Sequence, residues 1–317
     1  MKIAFLHDQN TVFSHKNVSS DIVSIFPNFC DFKAFSYDDE LKDIAKFEPD
    51  LIFYIHSIKA DLHIHLMKRA YGKKYKTACW LLEDPFNIDE TAYVGAFYDL
   101  VFSIDDSGVD ERRYFGYKNV YPLYQYANSA IYKPMEVGED YKSDVLFIGV
   151  GFPSRRKLLD DLVGIFYDYH FTVIGWWWDR LENGGLKKFC TNKIIEPKEA
   201  AKFINGTKIL IEHNRDYSTM NHRDIKPFCL GRGFNGAACG TFQLIDSSRK
   251  HLHNFFGKDS EIATYKDSAD LNSKIHYYME NQEERDRIAK GGFERSKEHS
   301  LVRRLHELMR VYAENFS

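Results

Sequence analysis

Gly149-Val150-Gly151-Phe152-Pro153-Ser154-Arg155-Arg156-Lys157 carries residue types suited to holding a phosphate. Glycines let a backbone come close to a ligand, and a helix that opens there offers N–H groups and a favourable dipole. Arg155, Arg156 and Lys157 add positive charge in the same turn. A dinucleotide fingerprint would need a third glycine where Ser154 stands and an acid closing the next strand. That strand runs instead into Gly175-Trp176-Trp177-Trp178, with no carboxylate before Asp179, which disfavours a nicotinamide dehydrogenase. Two readings stay open: a phosphate-facing turn, or a plain tight βα turn.

A second candidate is Gly231-Arg232-Gly233-Phe234-Asn235-Gly236-Ala237-Ala238-Cys239-Gly240. Phe234, Ala237 and Ala238 fall at helical spacing and form a packing stripe, while Arg232, Asn235 and Cys239 share another face. Gly240 is placed to end this helix. Gly231 and Gly233 beside an arginine suggest close approach of a ligand; the plainer reading is a packing helix with Arg232 solvated. A third candidate is Cys79-Trp80-Leu81-Leu82-Glu83-Asp84-Pro85, where an apolar run delivers two adjacent carboxylates. Neighbouring side chains on a strand point to opposite faces, so at most one of them serves a site. The other use of such an acid is to cap the next helix.

Other features carry less. His56, His63 and His65 lack a fourth ligand at metal-binding spacing and read as surface histidines. Arg303-Arg304 reads as a solvated helix face. Of Trp176, Trp177 and Trp178, one or two must be core, and the rest could stack a base. The chain contains no Asp-X-Asp, so a bound phosphate is expected to be neutralised by Arg, Lys and helix N-termini, with no metal and no other cofactor.

These residues need elements to position them, and 317 residues suffice for about two domains at ~150 each. Lys+Arg total 43 against Asp+Glu 46, for a formal charge of −3. That balance supplies no general field for nucleic acid or an anionic membrane. Apolar residues at 44% and charged residues at 28% describe an ordinary globular chain rather than a disordered one. The apolar run after Met1 is too short for a signal peptide, and no run approaches the ~20 residues of a membrane span. Five cysteines without a CxxC pair fit free thiols in a reducing cytosol. A cytoplasmic protein is the expectation.

Short apolar runs alternate with amphipathic stretches, which predicts parallel βαβ units. Strands are expected at 2–6, 50–55, 77–82, 100–104 and 119–123, then at 144–148, 171–174, 208–211, 241–245 and 261–264. Helices are expected at 39–47, 60–71, 107–115, 155–166, 198–204, 268–280, 283–297 and 301–315. The polar stretch 136–143 marks the joint between domains 1–137 and 138–298, with 299–317 as a terminal helix that could pack back on the first. Ligands of such sheets sit at the carboxyl ends of the strands. In the first half those ends carry His7, Asp8, His56, Glu83, Asp84, Asp105 and Asp106. In the second they carry Gly149, Gly151, Gly175, Trp177, Glu212, Asn214 and Asp246.

Arg232, Phe234, Asn235, Ala238-Cys239-Gly240, Leu244 and Asp246 together resemble the C-terminal half of the CgeB (spore maturation protein) family of glycosyltransferases. Phe255-Phe256, Glu261-Ile262, Arg285 and the closing 299–303 continue the likeness. So do Cys79 to Pro85, Asp99 to Asp105, Tyr121-Pro122-Leu123 and Tyr132-Lys133-Pro134 in the first half. The resemblance implies an α/β GT-B architecture, two Rossmann-like domains facing across a cleft, with an N-terminal acceptor side and a C-terminal nucleotide-sugar domain. It implies a hexosyl- or N-acetylhexosaminyltransferase using a nucleotide-sugar, expected to be a UDP-sugar, in spore outer-layer maturation in the mother-cell cytoplasm. In related transferases a Glu contacts donor hydroxyls where this chain has Asn235, which keeps hydrogen bonding but loses charge. Gly149, Gly151, Arg155, Lys157, Trp177, Glu212, Asn214, Arg232 and Asn235 are then the expected donor-binding residues. Arg155 or Lys157, with Arg232 and the helix N-terminus near Gly231, would stabilise the leaving diphosphate, and Asp84 or Asp105 would be the base for an acceptor hydroxyl if the reaction inverts configuration. The alternative is a non-catalytic sugar- or nucleotide-binding protein of the same shape in a spore surface layer.

Overall fold

The computed structural model describes residues 1–8, 13–215, 230–249 and 251–316. Two compact units emerge, one of Met1–Tyr124 with Leu301–Ser317 and one of Gln125–Ser300.

In the first unit the strands are β1 (Lys2–His7), β2 (Asp31–Ser36), β3 (Leu51–Ile55), β4 (Lys76–Leu81), β5 (Leu100–Ser103) and β6 (Val120–Pro122). They form a parallel sheet in the order β2-β1-β3-β4-β5-β6. Every residue of β3 is buried, as its unbroken Leu-Ile-Phe-Tyr-Ile run requires when helices cover both faces. The helix Leu301–Phe316 belongs to this unit. Tyr312 donates to the Asp50 carbonyl at 3.4 Å, Arg304 to the Tyr124 carbonyl at 2.9 Å, and Tyr121 to Asn315 at 2.8 Å. Arg304 is therefore buried rather than a solvated face.

The second unit continues with β7 (Ser143–Ile148), β8 (Phe171–Ile174), β9 (Cys190–Thr191), β10 (Thr207–Glu212), β11 (Gln243–Asp246) and β12 (Ala263–Tyr265). Its parallel order is β12-β11-β10-β7-β8-β9. The direction of strand succession reverses between β7 and β10, where Val145 lies opposite Ile209 and Leu146 opposite Leu210. Two residues further on, that register sets Ile148 beside Glu212. Crevices at such reversals are where open α/β sheets hold ligands.

The apolar runs located the other ten strands, but β2 and β9 carry no such run. β2 is an edge strand with mostly half-exposed residues, and β9 is only two residues long. The helix Phe13–Ile25 is too polar to declare a stripe. The expected helix 155–166 is two helices, Pro153–Asp161 and Ile165–Asp168, separated at Leu162-Val163-Gly164. The joint lies at 124/125 instead of 137/138, because Ala127 pairs with Ser300 and donates to the His299 carbonyl at 2.9 Å. The stretch 136–143 lies inside the second unit.

Candidate functional site

Glu212, at the end of β10, is the centre of an arginine cluster. Its Oε1 accepts from Arg232 Nε at 2.5 Å, and its Oε2 accepts from Arg232 Nη2 at 3.3 Å and Arg249 Nη2 at 2.9 Å. Arg232 rises from the first turn of the helix Gly231–Ala238, and its Nη1 also donates to the Ile148 carbonyl at the end of β7. Arg155, from the helix after β7, donates to the carbonyls of His213 and Val150, each at 3.1 Å. Its guanidinium lies over the rings of Phe147 and Phe152, at 5.9 and 5.4 Å. Arg232 covers Phe147 at 5.5 Å, and Arg215 covers Phe152 at 5.5 Å.

The charge balance of this cluster decides what it can do. Arg155, Arg215, Arg232 and Arg249 face two carboxylates among the described residues, Glu212 and Asp246. Burial, followed by the charge of Arg232, pushes the Arg155 guanidinium well below the usual arginine range. A guanidinium cannot shed its proton at neutral pH, so this unfavourable charge is relieved best by an anion. The neighbouring His213 receives a hydrogen bond from, or gives one to, Tyr265 through Nδ1 at 2.9 Å, and that nitrogen lies 3.4 Å from Asp246. Burial lowers its pKa against the pull of Asp246, so His213 is neutral at pH 7 and adds no charge.

Glycine placement serves this cluster. Gly149 has φ of +152°, and a Cβ there would meet Arg232 Nη1 at 1.9 Å. Its carbonyl accepts from Trp178 Nε1 at 2.8 Å. Gly151 packs against the Trp177 carbonyl, 3.0 Å from where a Cβ would stand. A Gly149→Ala substitution must displace Arg232. It is expected to weaken binding of an anion to the cluster about tenfold, roughly 1.4 kcal/mol, in an equilibrium titration with inorganic pyrophosphate.

The expected site residues divide accordingly. Gly149, Gly151, Arg155, Glu212 and Arg232 come together at the β7/β10 reversal. The Asn214 carbonyl accepts from Ser154 Oγ at 3.4 Å beside them. Trp177 is partly exposed, edge-on to Phe152 at 5.4 Å with Arg180 over its ring at 5.0 Å, while Trp178 is core. Asn235 is half-buried on the same helix as Arg232. Lys157 does not join them: it is exposed and paired with Asp161 one helical turn on, at 2.9 Å. Gly231 and Gly233 face Gln125 and Leu230, with 2.7 and 2.6 Å to a built Cβ, so they admit side chains of the protein itself. Cys239 is buried among Leu146, Ile174 and Leu210.

The two carboxylates expected as bases are placed otherwise. Asp84 is fully buried and held by Arg112, with Nη1 to Oδ2 at 2.7 Å and Nη2 to Oδ1 at 3.1 Å. Asp105 is 1% exposed and caps the helix Asp106–Tyr114, accepting from the Ser107 N–H at 3.0 Å. A base must reach the proton it removes. Buried and committed in this way, neither reaches an acceptor. Among the histidines, His63 is buried against the Tyr54 hydroxyl at 3.1 Å rather than at the surface.

Arg215 and Arg249 belong to the cluster and escape sequence reasoning. Both follow strand ends, β10 and β11, so the rule that led to Glu212 and Asp246 also covered them. Ser247-Ser248-Arg249-Lys250 has the composition of a solvated turn, which hides an arginine only 4% exposed.

His63 also sets a pH response. Burial pulls its imidazole down to about 4 from an ordinary 6.5. Between those values the unfolded chain binds the proton that the folded chain refuses, so stability falls as pH drops from 6.5 towards 4. The expected slope from this group is at most about 1.4 kcal/mol per pH unit. Denaturant melts of the parent and of His63→Gln across that window measure it, the variant giving the flatter curve.

A family described as glycosyl transferase-like matches residues 155–310, which include Arg155, Glu212, Arg232 and Arg249. Over 263 residues, 80% of each chain, the protein is 28% identical to the spore protein CgeB of Bacillus subtilis strain 168. The chain has the GT-B fold and is similar in sequence to CgeB. Its fold matches Anabaena HepE, solved in complex with UDP and glucose, with a TM-score of 0.68 over 99% of this chain and all of that one, at 13% identity. Sucrose-phosphate synthase of Thermosynechococcus elongatus matches with a TM-score of 0.69 over 99% of both chains, at 12% identity. No helix of the described residues is long and apolar enough to cross a membrane.

Proposed function

We propose that this protein is a metal-independent glycosyltransferase that takes its sugar from a UDP-sugar and passes it to an acceptor hydroxyl. One observation carries the reading: Arg232 and Arg249 hold Glu212 at the strand reversal beside Arg155, whose buried guanidinium is pushed well below the usual arginine range by burial and by the charge of Arg232. The diphosphate of a nucleotide would relieve that charge. As the bond to the sugar breaks, charge grows on the departing diphosphate, and fixed guanidinium groups stabilise it without reorganising. Arg232 is the group assigned to that charge. Trp177, beside Phe152 and partly exposed, offers the base a surface to stack on.

UDP in the matched HepE complex supports uridine as the nucleoside. Likeness to a spore protein supports a role in spore outer-layer maturation, inside the mother cell. The sugar is assigned to the hexose or N-acetylhexosamine class. With four arginines supplying the countercharge, the diphosphate needs no divalent ion and the reaction no other cofactor.

The second reading, a binding protein without turnover, draws on Asn235 standing at the position of an acid and on the burial of Asp84 and Asp105. A panel of UDP-hexoses and UDP-N-acetylhexosamines, incubated with the protein in EDTA, separates the two. Transferase function predicts slow UDP release from at least one donor in water alone, accelerated when an acceptor is added. UDP binding with no release from any donor gives the second reading.

A further inference from the structure

The helix Ile58–Tyr71 of the first unit buries Ala60, His63, Ile64 and Met67 and leaves an apolar row on its other side. Ile58 is 88% exposed, Leu62 63% and Leu66 44%, at spacings of four that line them up along one ridge. Ile58 is the most exposed large apolar residue among those described. The segment Ala92–Ala96 and the Phe97 that follows it widen the row. Tyr93, also exposed, donates to Asp61 at 2.6 Å, and the Phe97 ring stands edge-on to His65 at 4.6 Å and to Tyr93 at 5.5 Å. Single exposed apolar side chains are ordinary, but a contiguous row of them marks a contact surface.

Charge at the two ends of the row identifies what covers it. Tyr93 is level with Asp61 and Phe97 with His65, so the residues before Tyr93 lie towards the start of the helix. Asp89 and Glu90, both exposed, are therefore at the Ile58 end, where the one cation, Lys59, is held by Asp8 at 3.2 Å. Arg69 and Lys73, also exposed, stand at the opposite end. Asp61 is the sole carboxylate on the helix and is held by Tyr93. The row thus runs from an acidic end to a basic end. An anionic membrane would attract Arg69 and Lys73 but repel Asp89 and Glu90. A second copy of the chain, turned by a two-fold axis across the row, fits both ends, because each acidic end meets the other copy's basic end. The same turn lets the apolar ridges interdigitate.

We infer that this face of the first unit pairs with the same face of a second copy, as an antiparallel helix contact centred on the Leu62 turn, with Glu90 of one copy opposite Arg69 of the other. No residue of the second unit is assigned to this contact, so it is tested independently of nucleotide binding.

Sedimentation velocity of the full chain between about 1 and 100 µM is the test. A concentration-dependent monomer–dimer equilibrium is expected. Leu62→Lys is expected to weaken the dimer by about tenfold or more. Because Leu62 is exposed in the monomer, dilute samples of this variant are expected to keep the parent's Tm. Glu90→Arg and Arg69→Glu are each expected to weaken the dimer about fivefold, and the two reversals combined in one chain to restore most of the affinity. A UDP titration of each variant is expected to match the parent. A chain that stays monomeric overturns the inference, and so does a dimer indifferent to Leu62→Lys. A dimer that ignores either reversal, or is not restored by combining them, overturns the antiparallel pairing. Flotation of a monomeric chain with phosphatidylglycerol vesicles, lost in Leu62→Lys, assigns the face to a membrane instead.

Discussion

Arg232→Ala is expected to weaken UDP binding by ten- to a hundredfold, about 1.4–2.7 kcal/mol, measured by calorimetric titration of the full chain. Two losses combine. The diphosphate loses one fixed guanidinium, and Glu212, 1% exposed, loses the partner that engages both of its oxygens. Arg249 stays on Oε2 at 2.9 Å, so the carboxylate is still neutralised and the fold survives. Arg232→Lys is expected to recover less than half of the loss in free energy, because an ammonium cannot hold Glu212 and the Ile148 carbonyl with a planar fork. Affinity equal to that of the parent in both variants would detach Arg232 from the donor.

The second large effect concerns stability. Asp84→Asn leaves Arg112, wholly buried, facing an amide where a carboxylate took two of its bonds. Breaking a buried pair by removing one partner costs about 3–5 kcal/mol. For a unit of this size that corresponds to a fall in Tm of roughly 10 °C. Thr91 still accepts from Arg112 Nη2 at 2.8 Å, which compensates for part of the lost charge pairing but not for all of it. UDP affinity is expected to stay at the parent value. The opposite pattern, an unchanged Tm with transfer abolished, would return Asp84 to the role of base.

Why the fold was readable and the first-unit acids were not follows from these residues. Strands covered on both faces have to be apolar throughout, so Leu51 to Ile55 and Val145 to Phe147 announce themselves. β2 is half-exposed at a sheet edge and alternates, and no run marks it. In the second unit the strand ends carry the cluster: Gly149 directly follows β7 and Glu212 closes β10, the two strands that flank the reversal. The same rule applied to Asp84 could not reveal Arg112, which is 28 residues away on a helix whose sequence, Asp-Ser-Gly-Val-Asp-Glu-Arg-Arg-Tyr, looks solvated. Gly231 and Gly233 show the same limit from the other side: small residues next to a cation fit a ligand or a neighbouring side chain equally well. Here the neighbours are Gln125 and Leu230. Lys157 and Arg155 illustrate it within one turn, since helix geometry turns one inward over Phe147 and sends the other out to Asp161.

What the arginine cluster does to a diphosphate is the claim from which the transferase reading follows. Titrating the full chain with UDP in excess EDTA measures it directly. Saturable binding at one site per chain, with the same affinity when magnesium or manganese replaces the chelator, is the predicted result. No binding in EDTA, or binding that appears only once the divalent ion is restored, would contradict it.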